Sequence, residues 1–457
     1  MDLFDPSNPR PVHFMGIGGA GMSALALVAR RRGVSVTGCD PDPSGAADVA
    51  ALGADVFSGH DPKHVEGARA VVVTAAVAQD HPELARAHAL GVPVIPRKKA
   101  LADLVRLGTV VGISGTHGKS TTTVMTTEAL TAAGLAPTGI AGGRVNEWGG
   151  NAKPGGDRLF VVESDEYDQA FLALTPSVAV VNNVEADHLE CYGSLEALEQ
   201  AFVTFAGRAG RILIGADDPG AGRVAAQLPP ERVWRFGLGT ADLRLSAIEQ
   251  SPTGSRASLS LPDREAVILR LQVPGVHNLR NAAAALGAVV ALGGKVEPAL
   301  EALARYRGLG RRFERLGEVR GIAVVDDYAH HPSELEATLA AARQAFPGRR
   351  LLAVFQPHLY SRTAQHGVAM GRALAAADLV IVTSIYPARE QPIPGVTAAT
   401  VAEAARDAGA QVVYEPDRER IGERIHEIVR EGDVVITLGA GDITRVGREL
   451  AQWLNAA

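Results

Sequence analysis

The chain offers little sulfur chemistry. Its two cysteines, Cys39 and Cys191, stand far apart and without metal-ligand spacing, which argues against a disulfide framework and for a reducing compartment. Long apolar runs are also missing. The longest, residues 282–292, is too short to cross a bilayer and reads as a core helix. The first residues, Asp2, Leu3, Phe4 and Asp5, carry no signal-type apolar segment, so a cytoplasmic location is expected. Charge of one sign is scarce too: 45 basic side chains against 51 acidic ones leave a net −6. That balance gives no general attraction to nucleic acid or to an anionic membrane, and neither is expected as a partner. The basic clusters at 30–32, 97–99 and 311–312 are short and read as solvated faces. What the chain does have is length and apolar content. Its 457 residues, 46% of them hydrophobic, exceed one ordinary core and predict two or three globular domains.

The most informative stretch lies at 109–121. An apolar run over 109–113 predicts a buried strand, and Thr121 opens a helical pattern to residue 130. Between them stand Gly112, Gly115, Thr116, His117, Gly118, Lys119 and Ser120. Strand, glycine turn and helix make a phosphate cradle, in which backbone N–H groups and the positive helix end face the anion. Lys119 would reach the terminal phosphates, and the Ser120 hydroxyl would hold Mg²⁺. The general phosphate loop has a glycine where Ile113 stands, which argues against an ordinary GTPase or kinase and for a narrower group. A plain glycine turn with a surface lysine is the competing reading, and the ordered strand, glycines, Lys-Ser and helix count against it.

A second glycine loop precedes it. Gly16, Gly18 and Gly21 follow a strand over 12–15 and open a helix over 23–32, matching the dinucleotide fingerprint. A strand over 34–38 leads to Asp40, near the offset where such folds bind a ribose hydroxyl; a turn cap is the equal alternative. The motif alone fits an NAD dehydrogenase, a flavoprotein or any Rossmann-like domain holding a pyrophosphate. Further strands are predicted at 70–74 and 93–95, and this domain ends near Leu107.

Two apolar strands downstream run straight into polar groups. The first, over 159–162, meets Glu163, Asp165, Glu166 and Asp168; the second, over 178–181, meets Asn183, Asp187 and His188. In a parallel sheet that end is where ligands bind. Glu163, the first acid off its strand, is chosen for Mg²⁺. Asn183, Asp187 and His188 are candidates for a second metal or a carboxylate substrate. The glycine-rich stretch 139–151 reads as a mobile loop, and 208–272 as antiparallel strands. His277 and Asn278 open a helix, where Asn278 either caps it or meets an adenine edge. Arg311 and Arg312 stand beside a domain boundary, placed either to reach phosphates or to face solvent. The remainder alternates strands at 321–326, 350–355, 379–383, 411–414 and 434–438 with helices, as a parallel sheet requires.

In combination, the 115–120 loop, Glu163, the 183–188 run, His277 to Asn281 and Arg311 to Glu314 resemble the ATP-dependent Mur ligase family, which adds amino acids to the UDP-linked precursor of peptidoglycan. The resemblance spans almost the whole chain. It implies an α/β fold of three domains: a Rossmann-like N-terminal domain (1–107) for the UDP-sugar, a central P-loop ATPase-like domain (108–314), and a Rossmann-like C-terminal domain (315–457) closing over the site. The glycine loop, residues 327–332 and residues 355–358 resemble the members that join L-alanine to UDP-N-acetylmuramate. A member attaching a recycled tripeptide to the same sugar is the alternative.

The resemblance also distributes roles. Gly16, Gly18, Gly19, Gly21, Asp40 and Thr74 are implied for the UDP-sugar. Gly115, Thr116, His117, Gly118, Lys119, Ser120, Thr121, His277, Asn278, Arg312 and Asp326 are implied for ATP. Ser120, Glu163 and His188 are implied for Mg²⁺, with Lys119, Glu163 and His188 catalytic. Tyr328, His330, His358 and Arg362 are implied for the amino acid. Leu359 stands where some members carry arginine, which leaves Arg362 as the carboxylate clamp. ATP, UDP-N-acetylmuramate and L-alanine are the implied small-molecule partners of a monomer or homodimer.

Overall fold

The computed structural model describes residues 2–74, 76–251, 253–388 and 390–456. Three sheets organise them. The first is wholly parallel: β1 (Val12–Met15), β2 (Val36–Asp40), β3 (Asp55–Ser58), β4 (Ala70–Val73) and β5 (Val94–Pro96), in the order β3-β2-β1-β4-β5. The order reverses between β1 and β4, and ligands bind such sheets at the C-terminal ends beside that reversal. Gly16 follows β1 there, and Thr74 follows β4.

The second sheet has ten strands: β6 (Thr109–Ser114), β7 (Thr138–Val145), β8 (Gly150–Lys153), β9 (Leu159–Glu163), β10 (Val178–Val181), β11 (Arg211–Gly215), β12 (Val233–Gly237), β13 (Leu243–Ser251), β14 (Gly254–Leu261) and β15 (Arg264–Leu271). Their order is β15-β14-β13-β12-β11-β10-β6-β9-β7-β8. β6 lies between β10 and β9, parallel to both, so the loops that leave these three strands emerge side by side. The third sheet comprises β16 (Glu314–Val319), β17 (Ile322–Asp327), β18 (Leu351–Phe355), β19 (Leu379–Val382), β20 (Gln411–Tyr414) and β21 (Val434–Leu438), ordered β16-β17-β21-β18-β19-β20.

By packing, the chain forms two compact units. One comprises Met1–Ala247, Ala257–Leu269 and Arg280–Arg305; the other comprises Ile248–Arg256, Arg270–Leu279 and Tyr306–Ala457. The first therefore holds both the five-stranded sheet and the parallel core of the second sheet. Helix Ala20–Arg31 accounts for this. Its residues from Met22 to Ala29 are all buried, as in a helix covered on more than one side, and it packs against both β7 and β8. In the other unit, the third sheet buries apolar side chains on both faces, Val325, Ala353 and Ile436 on one and Val324, Leu352 and Val435 on the other. Alternate residues of each strand thus feed opposite layers.

Three sequence readings need correction. The stretch 139–151 is not a mobile loop but most of the antiparallel hairpin β7-β8. Glu128 holds it, accepting from Trp148 Nε1 at 2.8 Å and from Lys153 Nζ at 2.7 Å. Side chains crowd three of its glycines: a Cβ would lie 2.7 Å from Thr127 at Gly139, 2.7 Å from Glu163 at Gly142 and 2.6 Å from Asp48 at Gly150. Residues 211–247 are not antiparallel, since β10, β11, β12 and β13 pair in parallel. Polar β16 escaped notice because an exposed edge strand needs no apolar run.

Candidate active site

The N-terminal glycine loop is built by backbone sterics. Gly16 has φ +79°, and a Cβ there would lie 3.2 Å from Thr74 Cγ2, so these two residues face each other across the strand-order reversal. Asp40 turns into the loop: Oδ2 accepts from the Gly18 N–H and Oδ1 from the Asp42 N–H, each at 2.9 Å. Its carboxylate thus pins the turn. Gly19 caps helix Ala20–Arg31, and Gly21 lies in that helix's first turn. A Cβ on Gly21 would be 2.8 Å from Arg97 Nη1, which places a guanidinium over the start of the helix. Sequence reasoning missed Arg97; its only signal was a basic cluster read as a solvated face.

The phosphate loop joins β6 to helix Lys119–Ala132. Gly115 (φ +129°) and Gly118 (φ +78°) adopt backbone that side chains disfavour, and neither has room for one. A Cβ at Gly115 would lie 3.0 Å from the Asn182 N, and one at Gly118 would lie 2.8 Å from Asn281 Oδ1. The loop after β10 holds this turn in place. Asn183 Oδ1 accepts from the His117 N–H at 2.7 Å, and Thr116 Oγ1 accepts from the Glu185 N–H at 2.8 Å. Asn182 Nδ2 donates to Thr122 Oγ1 at 3.0 Å and to the His117 carbonyl at 3.2 Å. Thr121 is buried within the helix's first turn.

Two charged contacts define the chemistry. Lys119 Nζ donates to the Gly115 carbonyl at 2.8 Å and to both oxygens of Glu166 at 2.8 Å. Ser120 Oγ donates to Glu163 Oε1 at 2.9 Å, while Glu163 Oε2 accepts from the Gly142 N–H at 2.6 Å. Burial pushes both carboxyls above the usual carboxylate range, against the pull of Lys119. Burial pulls the Lys119 ammonium down, but Glu166 and Asp165 outweigh it and hold the group above its ordinary value. His188 is turned to other partners, Asp187 at 3.7 Å and Glu190 at 3.4 Å, with its ring edge-on to Tyr167. It takes a left-handed φ of +53°. Glu166, Asn182 and Asn281 were not singled out from sequence. Glu166 was hidden in a run of four acids, and only the fold puts Asn281 beside Gly118.

The other unit carries its own cluster. Tyr328 and His330 rings stand edge to face at 5.3 Å, and His330 and His358 at 6.1 Å. Arg362 Nη1 lies 3.4 Å from His358 Nδ1, and Tyr386 stacks on His358. All four residues implied for the amino acid therefore meet in one place, with Tyr386 added. Burial, then Arg362, pulls the His358 pKa down to about 4, so its imidazole is neutral near pH 7. Arg312 lies over the Tyr328 ring at 5.1 Å and 3.6 Å from Glu334. Asp326 is fully buried, accepting from Thr437 Oγ1 at 2.6 Å and Thr444 Oγ1 at 2.7 Å, with Arg311 at 3.6 Å. Its side chain therefore organises Arg311 rather than reaching outward. Asn278 donates to the Pro274 carbonyl at 2.7 Å from within helix Val276–Ala291, so it does not cap that helix. His277 sits in the same first turn, its ring against Gly275.

Fold and site together define a nucleotide-binding α/β protein built around a phosphate loop. Three family models match it in order: Mur ligase family, catalytic domain, over residues 11–109; Mur ligase middle domain over 113–289; and Mur ligase, glutamate ligase domain, over 311–441. The chain belongs to the Mur ligase family and has its three-domain architecture. It is 45% identical to the UDP-N-acetylmuramate–L-alanine ligase of Cutibacterium acnes, covering 100% of this chain and 98% of that protein. It is 42% identical to the enzyme of the same name from Thermobifida fusca, each covered over its full length. Among solved structures, the UDP-N-acetylmuramate–alanine ligase of Thermotoga maritima superposes with a TM-score of 0.82 at 29% identity, over 98% of this chain and 99% of that one. A murein peptide ligase from Psychrobacter arcticus, at 24% identity and a TM-score of 0.69 over 98% of this chain and 99% of its own, shares the fold.

Proposed function

We infer that this chain is an ATP-dependent amide ligase that joins L-alanine to the carboxylate of UDP-N-acetylmuramate, releasing ADP and phosphate, in peptidoglycan precursor synthesis. The observation that carries the ATP half is the pairing of Ser120 with Glu163 beside Lys119 at a helix N-terminus. The acceptor and amine follow from relatives at 42–45% identity that span the chain. The closer likeness to the alanine ligase than to the peptide ligase favours alanine over a tripeptide.

The chemistry answers a simple obstacle. A carboxylate does not condense with an amine in water until it is activated. The muramate carboxylate oxygen attacks the γ-phosphorus of ATP, ADP leaves, and an acyl phosphate forms. The alanine ammonium gives one proton to water and its nitrogen attacks the acyl carbon; the tetrahedral intermediate loses a second nitrogen proton to water and expels phosphate, leaving the amide. Lys119 exchanges its Glu166 contact for phosphate oxygens and balances their charge. N–H groups of the 115–120 loop hold the phosphate chain, and Arg362 pairs with the alanine carboxylate. His358, neutral, adds no second positive charge beside Arg362.

The donor set suits a hard divalent cation. Ser120 Oγ and Glu163 Oε1 already lie 2.9 Å apart, and both are oxygens of the kind Mg²⁺ takes. Ser120 and Glu163 would hold Mg²⁺, with His188 proposed as a further ligand. When bound, the ion neutralises charge on the transferring phosphoryl group. We also propose the domain limits 1–107, 108–314 and 315–457, and a cytoplasmic setting, where ATP is made. No helix among the described residues is long and apolar enough to cross a membrane.

The deciding experiment measures phosphate release from ATP with Mg²⁺ and UDP-N-acetylmuramate, adding L-alanine, glycine, L-serine or the tripeptide singly and checking product mass. Release that needs both the UDP-sugar and L-alanine, with the mass of the alanyl amide, is expected. Release driven only by the tripeptide would replace this reading with the recycling ligase.

A further inference from the structure

Below the N-terminal glycine loop, on the sheet face opposite helix Ala20–Arg31, four chain segments bring metal-type donors together. His13 comes from β1, Cys39 from β2, His60 from the loop after β3, and Glu83 from helix Pro82–Ala89. His13, Cys39 and Glu83 are fully buried. Cys39 Sγ lies 3.4 Å from His13 Nε2, 3.3 Å from His60 Nδ1 and 3.3 Å from Glu83 Oε2. His60 Nδ1 lies 3.1 Å from the same Glu83 oxygen. His13, Cys39 and Glu83 donors all fall within 4.8 Å of one another.

The separations from sulfur are those of ligands around one ion. Tetrahedral zinc with bonds of about 2.0–2.3 Å sets neighbouring N, O and S donors about 3.3–3.6 Å apart. The Cys39 sulfur faces His13 Nε2, His60 Nδ1 and both Glu83 oxygens, all within 3.4 Å. An outer layer is built as well. Thr37 Oγ1 is 2.9 Å from His13 Nδ1, and with Nδ1–H donated to it the Nε2 lone pair faces the sulfur. The other Glu83 oxygen accepts from the Asp61 N–H at 3.0 Å and faces His64 Nδ1 at 3.0 Å.

We propose that Cys39, Glu83, His13 and His60 form a site for one divalent transition-metal ion of the zinc class, separate from the ATP site. Thiolate with imidazole and carboxylate is a set that selects such an ion over magnesium. On binding, the Cys39 S–H bond breaks, sulfur keeps the electron pair and bonds the metal, and the proton goes to water. The role is structural. The Cys39 carbonyl accepts from the Gly16 N–H at 2.8 Å, and the next residue, Asp40, holds the Gly18 N–H. An ion at Cys39 therefore stiffens the base of the glycine loop from beneath.

The test uses the full chain, stripped with a chelator and titrated with Co²⁺ alone, then with Zn²⁺. A near-ultraviolet thiolate-to-cobalt charge-transfer band should saturate at one Co²⁺ per chain, and Zn²⁺ should bleach it and raise the unfolding temperature. A cation at Ser120 and Glu163 gives no such band, because no thiolate is there. Cys39→Ser should abolish the band, and Cys191→Ser should leave it intact. Thr37→Val should weaken Co²⁺ binding about tenfold or more through loss of the outer-layer bond. If Cys39→Ser does not fold, His60→Ala, at a partly exposed position, should still weaken the band. No band in the parent protein, or a band lost with Cys191 and not with Cys39, would overturn the proposal.

Discussion

Lys119 and Glu166 form a buried pair whose removal by halves has two consequences that can be separated. Lys119→Ala takes the cation from the phosphate site and leaves Glu166 buried without it. Turnover is expected to fall at least about 10²–10³-fold, and stability by up to about 3–5 kcal/mol. The double variant Lys119→Ala with Glu166→Gln should regain most of the stability in urea unfolding while turnover stays lost. Recovery of turnover in the double variant would remove Lys119 from the chemistry. Arg362→Ala should raise the L-alanine KM by about 10–100-fold, as for loss of a charged hydrogen bond, with a smaller change in the ATP KM. Equal changes in initial-rate kinetics would end its assignment as carboxylate clamp. His358 carries a pH signature. Its folded pKa of about 4 lies below the usual histidine value of 6.5, so between these values the unfolded chain binds the proton and the native one does not. Stability from this group is complete above pH 6.5 and is lost as pH falls towards 4. Urea midpoints across that window should slope less in His358→Gln than in the parent.

Among the elements, the β7-β8 hairpin shows how far a glycine-rich sequence misleads. Gly142, Gly143, Gly149 and Gly150 carry no periodic pattern, so residues 139–151 read as a flexible loop. Three long-range contacts decide otherwise: Trp148 and Lys153 on Glu128, and Asn151 on helix Ala20–Arg31. Asn151 Nδ2 donates to Ser23 Oγ at 2.7 Å and to the Ala20 carbonyl at 3.1 Å. Asn151→Ala removes both bonds while Ser23 Oγ keeps its own bond to the Ala20 carbonyl at 3.1 Å, and should cost about 0.5–1.5 kcal/mol in urea unfolding. The same change should loosen the glycine loop that helix carries, raising the UDP-sugar KM. An unchanged KM beside lost stability would confine Asn151 to packing. By contrast the phosphate loop was legible in sequence, because strand, glycines, Lys-Ser and helix are local and contiguous. Its supports from Asn182 and Asn183, and the crowding of Gly118 by Asn281, were not legible, since they come from a distant loop and a distant helix.

At the scale of the molecule, chelation should separate two kinds of metal dependence. Brief EDTA treatment is expected to stop ADP formation, and Mg²⁺ alone should restore it, as the Ser120–Glu163 pair requires. The amino acid sequence by itself determined the α/β class, the strand-to-loop positions of Gly16, Lys119 and Glu163, and the resemblance that named the family. Those features are written within a few consecutive residues, where hydrophobic period and turn chemistry act. The tertiary structure alone decided what meets what. It gave Lys119 to Glu166, turned Asp40 into its own glycine loop, and sealed Asp326 behind Arg311. It also gathered Cys39, which has no metal-ligand spacing in sequence, with His13, His60 and Glu83 from positions 26, 21 and 44 residues away. Parallel strands joined by long crossovers bring such distant residues to one place, and no local pattern can record that.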